Sequence, residues 1–429
     1  MLRILHNSHK NKFPERKAAV LLHRRWRKPT DSAQTRLESR TRDPRLDRLA
    51  ARAKTLKKVL KLQELMSKAR RGFTSVQIMS RWRNIVGINT PIGDFLRKYP
   101  RVFETYAHPS RRNPVCRVSK KFSDLVLEEA AAVEESGPET VRRLAKLLMM
   151  SADGALHAHA LWLVRRELGL PDGFRDSVLS RHPDMFRMVY PDTVVLVERD
   201  EGLAGAEVEK WREKEYREKW LSEFETKYAF PIHFPTGFRI ERGFRERMRN
   251  WQRLAYVKPY EKKEGTVRVR TCGGMERFEK RVVGVLHEFL SLTVERMVEV
   301  ERLAHFRRDF NMEPVNVREL LLKHPGIFYI STKGDTQTVF LREAYSKGCL
   351  LEPNPIYAVR RKMLDLILLG SRNAAIANIV QPLEGLSKDD GAIDENSVDA
   401  SCDEDWVMPI LPRYGEQPLD SNGSNLRDA

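Results

Sequence analysis

Arginines that alternate with aromatic side chains are the residues of this chain with the clearest chemistry. The segment from Phe238 to Tyr256 reads FRIERGFRERMRNWQRLAY. Guanidinium groups bind phosphate and, like aromatic rings, stack on unpaired bases, so this composition favours binding of single-stranded RNA. Some of these rings must lie in the core, and Trp251 is as compatible with burial as with exposure. The candidate RNA-binding residues here are Arg239, Arg242, Arg245, Arg249, Trp251 and Arg253.

A predicted helix from Arg52 to Arg71 forms a second basic region. At about 100° per residue its lysines fall within a narrow stripe, largely opposite its apolar side chains. Such a stripe can bind phosphates, and it can equally be an ordinary solvated helix face. A third set of cations follows the segment that ends at Phe103. The candidates are Lys54, Lys57, Lys58, Lys61, Arg70 and Arg71 in the helix, and Arg111, Arg112, Arg117, Lys120 and Lys121 in the third set.

A short string occurs three times, as LRKYPRVF at 96–103, LSRHPDMF at 179–186 and LLKHPGIF at 321–328. A helix-like stretch precedes each copy and a strand-like pair follows it, so the repeat predicts a helix-helix-β-hairpin unit that is winged-helix-like. The proline should end the second helix, and the phenylalanine should fill the core. The ring position is predicted to be structural, since it is Tyr99 in one copy and His182 or His324 in the others. The cation kept in all three copies adds Lys98, Arg181 and Lys323 to the candidates.

These patterns predict an α+β protein that is mainly α-helical, with three repeated units. The units span about 50–122, 139–198 and 282–345, and an insertion rich in arginine and aromatic residues occupies 199–281. Residues 1–40 have the cationic, partly apolar character of an organelle presequence followed by a basic linker. Residues 371–429 are polar and acidic, and we expect them to be a disordered tail.

The charge balance favours a polyanionic partner. The chain has 77 Lys plus Arg against 59 Asp plus Glu, a net charge of +18. From Glu384 onward there are 12 acidic and 3 basic residues, so the body before it carries a net +27. A body this basic is typical of proteins that bind nucleic acid. No apolar run reaches the ~20 residues of a membrane span.

The sequence offers little support for catalysis. Its cysteines are Cys116, Cys272, Cys349 and Cys402, and they show no metal-binding or disulfide-framework spacing. A thiol hydrolase would need one of them to be activated by a histidine, and no local sequence supports that arrangement. Phosphate-loop, zinc-protease and serine-hydrolase motifs are absent from the sequence. We therefore expect a protein that is not an enzyme and that needs no metal or other cofactor.

Several motifs, in a fixed order, carry a resemblance to a known family. They are RDPRLD at 42–47, GDFLRKYPRVF at 93–103, RRLAKLLMMS at 142–151, LGLPDGFRDS at 168–177, FPIHFPTG at 230–237, WQRLAY at 251–256 and PYE at 259–261. With these motifs, and with the third copy of the repeat, the chain resembles the plant organelle RNA recognition domain family over roughly residues 42–370. The lysine-rich first helix and the acidic tail depart from the family pattern.

The resemblance implies an RNA-binding factor that promotes splicing of group II introns in plant organelle transcripts by binding and shaping intron RNA. Its partners would be single-stranded or structured organellar intron RNA and other splicing factors, with no small-molecule substrate. The arginine-rich N-terminus favours a mitochondrial location, with the chloroplast as the alternative. Two other functions stay open from the residues alone: an organellar double-stranded DNA-binding protein and a ribosome-associated scaffold.

Overall fold

The computed structural model describes residues 37–68, 72–108, 112–219, 228–240, 242–261, 274–334 and 336–379. The elements named below belong to the compact unit that starts at Thr41. The expected presequence, most of the expected tail and the candidates Arg70, Arg71 and Arg111 lie outside the described residues. None of the described helices is long and apolar enough to cross a membrane.

Helices dominate the described fold, and the strands form small antiparallel sheets, which confirms the predicted mainly helical α+β class. The helices are α1 (Pro44–Ser67), α2 (Val76–Val86), α3 (Ile92–Lys98), α4 (Lys120–Glu135), α5 (Gly137–Met150), α6 (Ala158–Leu163), α7 (Arg165–Leu168), α8 (Glu207–Lys219), α9 (Phe244–Arg253), α10 (Gly274–Leu292), α11 (Val300–Leu303), α12 (Val317–Lys323) and α13 (Pro355–Ile379). A π-helical segment covers Arg175–Leu179, and 3-10 helices cover Glu201–Leu203, Ala304–Phe306 and Arg342–Ala344.

The strands are β1 (Thr74–Ser75), β2 (Phe103–Ala107), β3 (Pro114–Val118), β4 (Ala155–His157), β5 (Phe186–Val189), β6 (Thr193–Leu196), β7 (Met297–Glu299), β8 (Phe328–Ser331), β9 (Thr338–Leu341), β10 (Tyr345–Ser346) and β11 (Cys349–Leu350). The first sheet has the order β1-β3-β2, the second β4-β6-β5 and the third β7-β9-β8. Each therefore pairs a short leading strand with the second strand of a hairpin. The shared order is consistent with the predicted repeat.

The leading strand of each sheet was not part of the sequence prediction. β1, β4 and β7 have only two or three residues, which is too short for the alternating pattern that marks a strand. The helix-like stretch before the string is interrupted in the second and third copies, whereas in the first copy it lies within the continuous helix α2. The stretch 158–168 divides into α6 and α7, and α11 is followed by a 3-10 helix.

The repeated phenylalanine is a core residue in all three copies, as predicted. Phe103, Phe186 and Phe328 are 2%, 3% and 2% exposed. In the first and third copies the preceding helix ends two residues before the proline, at Lys98 and Lys323. Proline has no N–H and biases the residue before it away from helical geometry, so the string acts as a helix stop followed by a core anchor.

Two helices extend beyond the sequence expectation. α1 starts at Pro44, eight residues before the predicted Arg52, because Asp43 caps its N-terminus by accepting hydrogen bonds from the backbone N–H groups of Arg45 and Leu46. α13 continues to Ile379, so the expected disordered tail from residue 371 is wrong for 371–379. Alanine and isoleucine in that stretch are compatible with a helix that is already nucleated.

The core is built around α10, whose side chains are buried from Phe278 onward with the single exception of Glu279. Phe289 of this helix packs against Phe306, with ring centroids 5.2 Å apart, and Phe306 stacks on Phe310 at 5.4 Å. A second cluster of buried side chains joins α1, the first sheet and α13. This central packing fixes the positions of the surfaces described next.

Candidate nucleic-acid interface

The N-terminal half of α1 is fastened to the third sheet by the RDPRLD motif. The Asp47 carboxylate is buried and accepts hydrogen bonds from the hydroxyls of Tyr329 (2.9 Å) and Ser331 (2.6 Å). Arg42 pairs with the same carboxylate at 3.0 Å, and Arg342 lies 3.3 Å from Asp43. Burial raises the pKa of Asp47, but these hydrogen bonds and the charge of Arg42 lower it more, so its pKa lies below the ordinary value. The motif therefore has a structural role, because it attaches the start of α1 to the third sheet.

Two of the predicted lysines of α1 bind other parts of the protein. Lys57 Nζ lies 2.8 Å from the carboxylates of both Glu167 and Glu299. Arg302 pairs with the same two carboxylates at 2.9 Å. Although burial raises the pKa of Glu167, the charges of Lys57 and Arg302 lower it more, and it stays ionised. Lys54 donates to backbone carbonyls of the third hairpin, at 2.7 Å in the case of Lys333.

The other two candidate lysines of α1, Lys58 and Lys61, differ in exposure. Lys61 is exposed, and its Nζ is 2.5 Å from the carbonyl oxygen of Ile85. Lys58 is half-buried. RNA contact by the stripe stays a prediction, and the structure shows that Lys54 and Lys57 hold α1 against α7 and the third sheet.

A different face of α1 carries a basic cleft that the sequence reasoning missed. Two adjoining cavities of about 320 Å³ and about 220 Å³ share Arg45, Arg48 and Lys347 in their walls. We call the group Arg45, Arg48, Arg52, Lys347 and Arg361 the basic cleft. The spacing of three and four residues between the α1 arginines was a usable signal, because it places them on one helix face. The predicted helix started too late to reveal it.

The predicted segment 238–256 divides into an exposed cationic side and a packed aromatic side. Arg239, Arg242, Arg245 and Arg253 are exposed, and Arg249 is half-buried. The rings of Phe238 and Phe234 stack with centroids 4.5 Å apart, and Phe244 lies 5.7 Å from each of them. The arginines are thus placed where phosphates could reach them, whereas these phenylalanines pack on one another.

Trp251 belongs to the packed side. Its ring lies 4.5 Å from His324 and 5.6 Å from Phe230, centroid to centroid, and it is half-buried. Burial and the charges of Lys323 and Lys280 lower the pKa of His324 to about 3, so this imidazole is neutral at physiological pH. The prediction that the ring position of the third copy is structural agrees with this packing. Base stacking by Trp251 stays a prediction that its packing does not favour.

A buried lysine holds the C-terminal end of α9. Lys280 of α10 is 0% exposed, and its Nζ donates to the carbonyl oxygens of Trp251 (2.7 Å), Gln252 (2.8 Å) and Leu254 (2.7 Å). The last carbonyls of a helix have no i+4 partner, and the lysine supplies donors to them here, in addition to the Leu254 N–H that lies 3.1 Å from the Trp251 carbonyl oxygen. Burial and the nearby Arg212 lower the pKa of Lys280, but its three carbonyl acceptors require the ammonium form, because a neutral amine has only two N–H donors. The orientation of the arginine-bearing helix therefore depends on a side chain from the central helix.

A buried ion pair holds the start of α8 in place. Lys146, in the RRLAKLLMMS motif, lies 2.9 Å from the fully buried Glu288 carboxylate and 3.0 Å from the carbonyl oxygen of Gly205. The same carboxylate accepts from the Tyr260 hydroxyl at 2.6 Å and from the backbone N–H of Glu207 at 2.7 Å. Residues of two of the motifs, RRLAKLLMMS and PYE, thus meet at Glu288 of α10 and fix the start of the insertion.

The remaining candidates are mostly exposed. Arg112, Lys120 and Lys121 are exposed, as are the string cations Lys98 and Arg181. Arg117 pairs with Glu104 at 2.6 Å across the first hairpin, and Lys323 pairs with Glu279 at 3.0 Å. The structure therefore keeps the string cation at the surface in all three copies. RNA contact by these residues stays a prediction.

A mainly helical protein with a basic body and exposed arginine and lysine clusters falls in the class of proteins suited to polyanions. The chain belongs to the plant organelle RNA recognition domain family, whose model matches residues 41–372.

The chain is similar to ROOT PRIMORDIUM DEFECTIVE 1 of Arabidopsis thaliana, with 38% identity over 366 residues, which cover 82% of this chain and 89% of that protein. It is 31% identical over 385 residues to WHAT'S THIS FACTOR 1, chloroplastic, of Zea mays, covering 87% and 75% of the two chains. It is 29% identical over 349 residues to WHAT'S THIS FACTOR 9, mitochondrial, of Arabidopsis thaliana, covering 78% and 87%. No solved structure matches the chain.

Proposed function

We propose that this protein binds intron RNA in plant organelle transcripts and promotes the splicing of group II introns. The observation that carries the proposal is the family match over residues 41–372, which spans nearly all of the described fold. The exposed cation clusters on that fold supply the chemistry that a polyanionic ligand needs.

The proposed mechanism is binding and positioning of RNA segments. The basic cleft and the exposed arginines of 239–253 lie on separate elements, and in this mechanism one RNA contacts both. Neutralising phosphates releases counterions and favours the RNA conformations that fit the protein surface. A group II intron folds its own active site, so a protein assists it by stabilising the productive arrangement. No chemical step is assigned to the protein.

We place the protein in mitochondria. The arginine-rich residues 1–28 support this location, because a cationic segment is drawn toward a negative interior. The printed names of two relatives carry the words chloroplastic and mitochondrial, so both organelles occur among similar proteins. A fluorescent fusion of the full chain distinguishes the two, and a chloroplast signal would overturn the mitochondrial assignment.

Immunoprecipitation of the full chain from organelles, followed by sequencing of bound RNA, tests the function. We expect enrichment of intron-containing transcripts and reduced splicing of those introns when the protein is depleted. Enrichment of ribosomal RNA alone, or of no RNA, would refute the splicing role. Competition between an intron RNA and duplex DNA of equal length excludes DNA binding if the RNA competes better.

The contribution of the basic cleft is measurable in vitro. Replacing Arg45, Arg48 and Arg52 by glutamine should weaken RNA binding and reduce the slope of log affinity against log salt by about 2, since each phosphate contact on a single strand contributes roughly 0.7. A matched control replaces three exposed cations of α8, Lys210, Lys214 and Arg217, by glutamine. An equal loss in both triple variants would show that net charge, and not the cleft, determines binding.

A further inference from the structure

The outer faces of the second and third sheets differ in what they contact. Strand register makes the positions comparable, because Phe186 pairs with Leu196 as Phe328 pairs with Leu341. Along each hairpin, from this pair toward the turn, Arg187 of the second sheet corresponds to Tyr329 of the third, and Val189 corresponds to Ser331. On the leading strands, His157 pairs with Thr193 as Glu299 pairs with Thr338.

In the third sheet this outer face is covered by α1. Met297, Tyr329 and Phe340 form an apolar cluster with Leu46, Leu49 and Ala50 of the helix. At the edge of the cluster, Ser331 donates to Asp47 at 2.6 Å and Glu299 pairs with Lys57 at 2.8 Å. Large apolar side chains are what a packed helix requires of a sheet face.

In the second sheet the side chains at the same positions are unsuited to packing against a covering helix. Ala155, Arg187 and Val195 stand where the third sheet has Met297, Tyr329 and Phe340. Arg187 is exposed, Val189 is 46% exposed, and Tyr190 at the hairpin tip is 94% exposed. A cation and an isolated aromatic ring replace the apolar contact surface.

A row of rings continues this face onto α6. His157 follows the outer face of the sheet, and its ring lies 6.5 Å from that of His159. The rings of His159 and Trp162 are nearly parallel, with an interplanar angle of 14° and centroids 6.1 Å apart. The Arg165 guanidinium lies 4.3 Å from the Trp162 ring and is fixed by Asp172 at 2.7 Å. All three rings belong to exposed residues.

We propose that His157, His159, Trp162, Arg187, Val189 and Tyr190, the second-sheet platform, bind unpaired nucleobases of RNA by stacking. The inference rests on the proposed RNA-binding function and names a site for it. Exposed rings beside arginine, on a body of net positive charge, match the flat faces of bases and the adjacent phosphates. A protein helix is the less suitable occupant, because the apolar residues that receive α1 on the third sheet are missing here.

The platform is held in shape before any ligand binds. At the hairpin turn, the Asp192 carboxylate pairs with Arg175 at 2.9 Å, and its carbonyl oxygen accepts from the backbone N–H of Ala158 at 2.9 Å. The turn is thereby tied to the start of α6, which carries His159 and Trp162. Preorganised rings lose little conformational freedom on binding, which favours affinity.

Binding of an unstructured oligoribonucleotide of about 20 nucleotides that contains 2-aminopurine tests the platform in the full chain. Stacking quenches this base, so the wild-type protein should quench its fluorescence. Tyr190→Ala and Trp162→Ala should each weaken binding about fivefold or more, the usual loss for one base-stacking ring. The salt slope should not change, since no cation is removed. Leu127→Ala on α4, where Leu127 is 69% exposed, is the matched control and should bind like wild type.

The outcomes separate the two proposals. Failure of the wild-type protein to bind any RNA would refute the proposed function itself. Normal RNA binding with unchanged affinity in Tyr190→Ala would refute only the platform, and this variant is decisive because so exposed a ring cannot support the fold. An equal loss on an RNA duplex, or a change in oligomeric mass without a change in RNA affinity, would also overturn the platform.

Discussion

Replacing Lys280 by methionine tests how the structure holds its arginine-bearing helix. Methionine keeps the length and apolar character of the lysine stem but cannot donate hydrogen bonds. The carbonyl oxygens of Trp251, Gln252 and Leu254, each 2.7 to 2.8 Å from Lys280 Nζ, would lose their donor. The Trp251 carbonyl would keep its bond from the Leu254 N–H at 3.1 Å, but the end of α9 would lose three hydrogen bonds in a buried setting.

The expected magnitude follows from the three bonds. A hydrogen bond contributes roughly 1 kcal/mol net, so we expect the free energy of unfolding to fall by about 3 kcal/mol. RNA affinity should fall as well, because Arg245, Arg249 and Arg253 are carried by the released helix. The stability loss should exceed that of almost any surface substitution, which usually stays within about 0.5 kcal/mol.

Urea unfolding followed by tryptophan fluorescence and circular dichroism measures the change. Lys214→Met on α8 is the control, because Lys214 is exposed, and it should leave the unfolding midpoint nearly unchanged. A loss of less than about 0.5 kcal/mol in Lys280→Met would refute the capping role. Equal losses in the two variants would show that lysine removal as such, and not the buried bonds, causes the effect.

Two further outcomes follow from buried charges. Asp47→Asn should cost about 2 kcal/mol at pH 7 through its bond to Ser331. Since the pKa of Asp47 is lowered, that difference should shrink as acid titration passes below pH 4, and a constant difference would count against it. Glu288→Gln removes the nearer of two carboxylates that pair with the buried Lys146, leaving Glu207 at 3.7 Å, and should cost about 3 kcal/mol in thermal or urea unfolding, whereas an unchanged midpoint would show that the pair with Glu288 is dispensable.

Local sequence signals predicted the features that neighbouring residues decide. Proline and phenylalanine at fixed places in the repeated string predicted a helix end and a buried ring, and both are observed because they depend on backbone chemistry and local hydrophobicity. The basic body, the mainly helical class and the exposed string cations were accessible in the same way. The start of α1 at Asp43-Pro44 was equally readable, since it is a strong capping signal, and it would have revealed the arginines of the basic cleft.

Contacts with residues distant in the chain decided which of the predicted side chains are paired, packed or exposed. Lys57 and Lys61 occupy the same predicted stripe, yet Lys57 pairs with Glu167 and Glu299 while Lys61 is exposed. Their local sequences do not distinguish them, because the acidic partners lie more than one hundred residues away. The same holds for Trp251, which packs against His324.

The sequence by itself determined the family, the sign of the charge and the identity of the short segments that end helices and anchor the core. The tertiary structure decided which cations are at the surface, which rings are packed, and that α1 covers the third sheet but not the second. The physical reason is that periodicity and capping act over a few residues, whereas ion pairing and the covering of a sheet face require elements brought together by folding. The three similar sheets therefore acquire different surfaces from what packs on them.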